Sequence, residues 1–359
     1  MIGQAEANLL TGAREESPPR VAICIVNWNG WRDTIECLES VRRLEYPNYV
    51  AVVVDNGSAD GSAEKIKAWA QQNLGPGQAL ADYSRSSALS GGEERMERAL
   101  DRTASAARLV LIRNQDNLGF TGGNNAAIDY ALHRGAPADY VFLLNNDAAP
   151  KADCLTLLVS ADLKANAGIV GAVVLTGDGS QVEFAKSGPP LALFFAPIIK
   201  AYVPMPEDGK DLWESGYVNG AAMLIRKDVL AAVHSLGRGY LDDRLFLYWD
   251  ELAFCNNAWK MGFKCLVVRA ATVRHQGGKS SGGFVNPIYY YYSGRNRILL
   301  VSEFLPLRWR IVFHFIHAPM RLASALNNLI SGRKGSAQAI LLGLIDGYRG
   351  VTGKWKGHG

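Results

Sequence analysis

Asp147 closes an apolar run, YVFLLNND (140–147), beside two amides, Asn145 and Asn146, with Pro150 three residues further on. Asn, Asp and Pro punctuate strand ends, so a simple turn is one reading. The other is a metal held over a phosphate. A divalent ion gripping a diphosphate needs hard oxygen ligands, sometimes an imidazole, and open positions for the phosphates. His275 meets that description: it ends the run KCLVVRAATVRH (264–275) and precedes the glycine-rich QGGKSSGG. Asp147 and His275 act together only if both strands end at one edge.

Three further groups carry potential chemistry. Asp55 ends VAVVVD and is followed by Asn56-Gly57-Ser58. A carboxylate there can accept from a base N–H or a ribose hydroxyl, or it can cap the helix beginning near Asp60. In NLGFTGGNN (117–125), Gly122 and Gly123 at a helix start allow close backbone approach to an anion; a plain helix entry capped by Thr121 is the alternative. Asp250 and Glu251 follow the aromatic stretch FLYW at the start of a helix. Acids are favoured there by the helix dipole, while apolar neighbours desolvate a carboxylate, raise its pKa and suit it to act as a general base.

These residues need a frame, and the chain alternates apolar β-like runs with helix-like stretches. VAICIVNWN (21–29) precedes DTIECLESVRRL (33–44), whose Ile35, Leu38, Val41 and Leu44 recur at helical spacing. VAVVVDNGS (50–58), LVLIRN (109–114) and YVFLLNND follow, each separated by helical sequence. Four such strands, buried on both faces, predict a parallel sheet with crossovers, whose ligands sit beyond the carboxyl ends. Every one of those ends is polar: Asn27/Asn29, Asp55/Asn56, Asn114/Asp116/Asn117 and Asn145/Asn146/Asp147. IVGAVVL (169–175), AAMLIR (221–226) and 264–275 read as a mixed continuation of the sheet, with a helix across 245–263 closed at Gly262. Residues 1–17 read as a loose arm. Residues 75–107, rich in Ser, Gly and charge, read as an insertion carrying one short surface helix.

With 359 residues, 48% of them hydrophobic and 20% charged, the chain is a folded protein of one large domain plus an appendage, or of two domains. Five scattered cysteines without a C-x-x-C pair argue against disulfides and zinc and for a reducing compartment. No charged leader precedes an apolar run at the start, so no signal peptide is expected. The net charge of +4 conceals an asymmetry: from Arg295 onward there are ten Lys/Arg against two Asp/Glu, leaving residues 1–294 at −4. A basic tail expects an anionic surface; no nucleic-acid motif accompanies it. In 308–330, Arg310, His314, His317, Arg321, Ser324 and Asn328 form one polar stripe on a helix where nearly everything else is apolar. Pro319 and the charges argue against a membrane span. The expectation is an interfacial helix with its basic stripe, and Arg295, Arg297, Arg333 and Lys334, toward anionic head groups; packing on the catalytic body or on a second subunit is the alternative.

The ordered motifs IVNWNG, VDNGSADGS, NLGFTGGNN, LLNNDAAP, VNGAAMLIRKDV, FLYWDE and RHQGG, from about Arg20 to Ser281, resemble the family 2 inverting glycosyltransferases of GT-A fold, in particular a rhamnosyltransferase-like branch. The resemblance implies an α/β fold: a Rossmann-like mixed sheet flanked by helices, as a GT-A catalytic domain over 18–285, with a C-terminal basic amphipathic helical region over 286–359. It implies that Asn27 and Asp55 hold a nucleotide's base and ribose, with Asn117, Gly122 and Gly123 nearby. It puts Asn145-Asn146-Asp147 in the place of the D-x-D motif, with Asp147 and His275 on Mg2+ or Mn2+. Glu251 stands where the base is expected, beside Asp250, while Gly220, Ala221 and Trp249 border sugar and acceptor. Two departures stand out: Asn145 replaces the first carboxylate of D-x-D, and Asp250-Glu251-Leu252-Ala253 replaces E-D-x-D.

The expected partners are a nucleotide-diphosphate sugar (dTDP-rhamnose or a UDP-sugar), a glycan or polyprenyl-diphosphate-linked acceptor, and an anionic membrane surface at the cytoplasmic face. A homodimer is left open and nucleic acid is not expected. The work implied is bacterial surface polysaccharide synthesis, of the O-antigen or cell-wall kind. A nucleotidyltransferase and a catalytically silent assembly partner are the competing readings; a dinucleotide-dependent oxidoreductase is disfavoured because G-x-G-x-x-G is absent after the first strand.

Overall fold

The computed structural model describes residues 17–75, 77–188, 194, 205–277 and 286–357. The expected N-terminal arm (1–17, apart from Ser17) and most of the glycine-rich stretch after His275 lie outside them.

Strongly apolar segments pair as expected. β1 (Val21–Asn27), β2 (Tyr49–Asn56), β4 (Arg108–Asn114) and β5 (Tyr140–Leu144) run parallel, linked by α1 (Trp31–Val41), α2 (Ser62–Asn73) and α5 (Gly119–His133). β3 (Ala79–Ser84) adds a parallel edge. Beyond β5 the sheet continues through β10 (Ala222–Arg226), β7 (Gly168–Thr176), β11 (Lys264–His275) and β6 (Ala148–Pro150), in the order β3-β4-β2-β1-β5-β10-β7-β11-β6. β8 (Val182–Phe184) pairs with β7, and β9 (Leu212–Glu214) with β11. Alternate residues feed two cores, Ala22, Cys24 and Val52 on one face and Val21, Ile23 and Ile25 on the other. All five cysteines are buried and free.

The segment 75–107 is more than an insertion, because β3 extends the parallel sheet. Its helices are α3 (Arg85–Leu89) and α4 (Glu94–Arg102). Buried Glu97 ties α4 down, accepting from Tyr83 Oη at 3.0 Å, Tyr130 Oη at 2.8 Å and Arg134 Nε at 2.6 Å. Alternation was weak in ALADYS, so the composition of its surroundings hid the strand.

Beyond β5 lie α6 (Cys154–Ala165), α7 (Lys227–His234) and α8 (Asp250–Lys260). The chain then finishes with α9 (Pro287–Phe304), α10 (Leu307–Ile330) and α11 (Lys334–Tyr348). These bury a third core of Phe194, Leu245, Leu252, Ile298, Val301 and Phe313. Two expectations are corrected here. Arg295 and Arg297 are buried, so they cannot meet head groups. The α10 stripe also points inward: His317, Arg321 and Asn328 are buried, and Phe315 and Ile330 are 78% and 77% exposed.

Candidate active site

The carboxyl ends of β1, β2 and β4 stand in register, with Asn27 opposite Asp55 and Asn56 opposite Asn114. Asn27 Nδ2 donates to Asp55 Oδ1 at 2.7 Å and to Ser58 Oγ at 3.1 Å, while its Oδ1 accepts from Thr34 Oγ1 at 2.8 Å. Helix α2 is served by Asp60, whose Oδ1 accepts from Ser62 N at 3.0 Å. Asp55 is therefore not its cap. Asn117 Oδ1 accepts from Asn56 Nδ2 at 3.1 Å and from Gly119 N at 2.9 Å, closing the turn into α5. Gly123 is a packing requirement: a Cβ there would sit 2.7 Å from Val26 Cγ1. Gly122 packs on its own turn, where a Cβ would meet Leu118 Cβ at 2.6 Å. Thr121 does not cap α5; its hydroxyl is buried without a partner among the described residues.

Asp147 and His275 do meet. β6 runs antiparallel to the end of β11 with His275 opposite Ala148, which puts Asp147 one residue away. A bulge in β11 between Val268 and Thr272 bends this long strand before it arrives. His275 Nε2 lies 3.2 Å from Asp147 Oδ1 and 3.1 Å from Asn145 Nδ2, and Nδ1 lies 3.0 Å from Glu183 Oε2. Burial alone would lower the imidazole, but hydrogen bonds to Asp147 and Glu183 outweigh it and hold its pKa up at about 9. Asn146 turns away, donating to Thr34 Oγ1 at 3.2 Å.

This donor set suits a small divalent cation. An oxygen and a nitrogen 3.2 Å apart are spaced near the ~3 Å edge of an octahedron with ~2.1 Å bonds. Glu183 behind Nδ1 orients the ring, and a metal ion would take the place of the proton on Nε2. Among the described residues no three or more His, Cys, Asp or Glu groups form a cage. With Asp147 and His275 as its protein ligands, such an ion would keep positions for phosphate oxygens and water, the usual arrangement for Mg2+ on a phosphate substrate.

The acid pair sits at the start of α8, reached through a strained turn. Phe246, Tyr248 and Trp249 all take left-handed φ, at 66°, 65° and 71°. Bulky residues do so only under tertiary constraint, and such strain gathers at functional sites. The constraint comes from α9. Asn296 Nδ2 donates to the carbonyls of Leu245, Leu247 and Tyr248 at 3.2, 2.9 and 2.8 Å, and Arg295 Nη2 donates to that of Leu245 at 2.7 Å. The Arg297 guanidinium covers the Trp249 ring at 4.7 Å. The expected helix across 245–263 thus begins only at Asp250.

Burial, and then the charge of Glu251, push Asp250 well above the carboxylate range. Burial also raises Glu251, against hydrogen bonds from its own backbone and from Asp250 that favour the ionised form. Both acids are thus held more protonated than exposed carboxylates would be, and they titrate as a pair. The two halves of the site are linked through one loop. Asn145 N donates to Ala221 O at 3.2 Å, and a Cβ on Gly220 would stand 3.8 Å from Glu251 Cβ. Trp249 packs between Arg297 and Phe194. Sequence reasoning missed Glu183 and Asn296. Glu183 has no local signal, whereas Asn296 sits in a polar SGRNR run interrupting an apolar helix.

Residues 22–79 match the family described as Glycosyl transferase family 2. The low-salt glycan biosynthesis hexosyltransferase Agl10 of Haloferax volcanii is 27% identical over 187 residues, 51% of this chain and 57% of that protein. The matched stretch thus spans little more than half of that relative's length. The mannosyltransferase PcManGT from Pyrobaculum calidifontis, solved with GDP-Man and Mn2+, is similar with a TM-score of 0.51 at 14% identity, over 96% of this chain and 93% of that one. At that identity the likeness is one of fold. The match to Glycosyl transferase family 2 thus falls on the segment holding the strands that end in Asn27 and Asp55, and the mixed sheet around it is GT-A-like in fold.

Proposed function

We propose that the protein is an inverting glycosyltransferase that moves a sugar from a nucleoside-diphosphate sugar to a hydroxyl of a glycan or polyprenyl-diphosphate-linked acceptor. dTDP-rhamnose is the first donor to try and UDP-hexoses the next, in keeping with a relative named as a hexosyltransferase. One observation carries the reading: the Asp147–His275 pair and the Asp250–Glu251 pair border the same short loop, through Ala221 and Gly220.

Asn27 and Asp55 receive the nucleoside. Asp147 and His275 would hold a divalent metal, which would supply positive charge against the diphosphate leaving group. Glu251 takes the proton of the acceptor hydroxyl. The acceptor oxygen bonds to the anomeric carbon as the carbon–oxygen bond to the β-phosphate breaks on the opposite face, so the configuration inverts and nucleoside diphosphate departs. Asp250 stays protonated and keeps Glu251 oriented. Among the described residues no helix is long and apolar enough to cross a membrane, and the reading is of a protein attached peripherally at the cytoplasmic face.

The test is nucleoside diphosphate release by the full chain from a panel of nucleotide sugars with Mn2+. Asp147→Ala and Glu251→Gln should each lower transfer by ~10²–10⁴-fold while the variants still melt in one cooperative transition. Near-wild-type turnover by either variant rejects its role.

A further inference from the structure

Helix α10 wears its polar side inward. Arg310 Nε donates to Leu305 O at 2.6 Å, His314 Nδ1 lies 3.0 Å from Tyr348 Oη, and Asn328 Oδ1 accepts from Arg333 Nε at 2.7 Å. The Arg321 guanidinium donates to the Tyr290 carbonyl. With those groups used inside, the outer side is apolar. Of the 21 exposed large hydrophobic side chains among the described residues, 15 lie between Leu307 and Val351. Phe315, Ile316, Met320, Leu322, Leu326 and Ile330 form its centre, along a 24-residue helix that is ~36 Å long. Soluble monomers rarely leave so continuous an apolar strip in water.

Charge identifies the occupant. The strip is accompanied by exposed Arg308, Arg333, Lys334, Arg349, Lys354 and Lys356. The single acid in 305–357 is Asp346, which accepts from Tyr291 Oη at 2.7 Å. A two-fold contact with a second copy would bring one set of cations against another. An anionic lipid surface offers both complements, acyl chains for the strip and phosphates for the cations.

We propose that α10 and the outer edge of α11 bed their apolar side into the headgroup–acyl boundary of an anionic bilayer, with the flanking cations on lipid phosphates. The surface so defined is opposite in sense to the polar stripe that periodicity suggests. Phe194 bridges the two sides, its ring 5.3 Å from that of Trp249 and 6.1 Å from that of Phe313 on α10, a short reach for a lipid-linked acceptor. Only that last point rests on the proposed function.

The experiment is flotation of the full chain with phosphatidylcholine vesicles, with and without phosphatidylglycerol, alongside light scattering without lipid. The protein should float with the anionic vesicles about tenfold better than with phosphatidylcholine alone, and less so in high salt. A Phe315→Glu/Leu326→Glu variant should lose at least ~10-fold in bound fraction while keeping the wild-type melting temperature and donor hydrolysis. Arg333→Glu with Lys334→Glu should erase the preference for anionic lipid. The proposal is overturned if the wild type stays at the bottom with both vesicles, or if it is a dimer in solution that Phe315→Glu/Leu326→Glu turns into a monomer. Floating protein without transfer would reject the enzyme reading and leave this one standing; transfer without flotation would do the reverse.

Discussion

Asp250 and Glu251 titrate as a buried pair, so a proton held by one changes what the other can accept. Burial raises both, and the proposed mechanism takes Asp250 as the donor and Glu251 as the acceptor of the pair. The rising limb of the pH–rate profile should therefore lie above the ordinary glutamate value of about 4.3. Asp250→Ala removes the donor that favours Glu251 as a carboxylate, so that limb should move to higher pH; Asp250→Asn retains a donor and should move it little. A limb that stays put in Asp250→Ala would sink the assignment. The same shifts have a stability consequence. Both folded pKa values exceed the unfolded ones, so the native state binds more protons in that window and loses stability as pH rises through it. Asp250→Asn should accordingly raise the melting temperature at neutral pH and leave it nearly unchanged at acidic pH. At this scale the sequence was informative where residue type and strand end coincide, as for Asp55, Asp147 and His275. It was silent on Glu183, because what singles out that side chain is a partner 92 residues away.

The turn from Arg244 to Trp249 is an element defined by what grips it. Three aromatic residues in left-handed backbone are unfavourable locally, and Asn296 and Arg295 offset this from another helix. Replacing Asn296 with Ala should lower kcat by ~10-fold or more through a misplaced Glu251, with a smaller change in donor KM. Equal loss in both would speak for general destabilisation instead. Gly119 supports the turn from the other side: at φ +75° its absent Cβ would fall 2.2 Å from Phe246 O. Gly119→Ala should cost at least ~2 kcal/mol, read from denaturant unfolding. None of this was legible in FLYW, whose composition says strand or helix. Periodicity reports which side is apolar; it carries no record of tertiary clamps.

Across the whole molecule, the strand-and-helix alternation to Asp147 was readable because fully apolar runs with polar ends leave few alternatives. The C-terminal helices were readable as helices, but the direction of α10 was not. A stripe has two sides, and only packing says which one faces in. Since α9 holds the turn carrying the acid pair and α8 shares a core with α9 and α10, sheet and C-terminal helices should unfold together. Scanning calorimetry should show one transition, and two well-separated ones would mean that residues 286–357 fold apart. Such coupling also predicts that a chain ending before Pro287 exposes Leu245 and Leu252 and aggregates.

The kink in β11 has a consequence for how this protein can vary. Side chains alternate sides at every step along a strand, and His275 reaches Asp147 from the last position before the chain leaves the sheet. Losing one residue between Thr272 and Arg274 would seat Gln276 against Ala148 and swing the imidazole to the far face. Insertions and deletions there are tolerable only in pairs, so the length of that short segment is as much a part of the proposed metal site as Asp147 and His275 themselves.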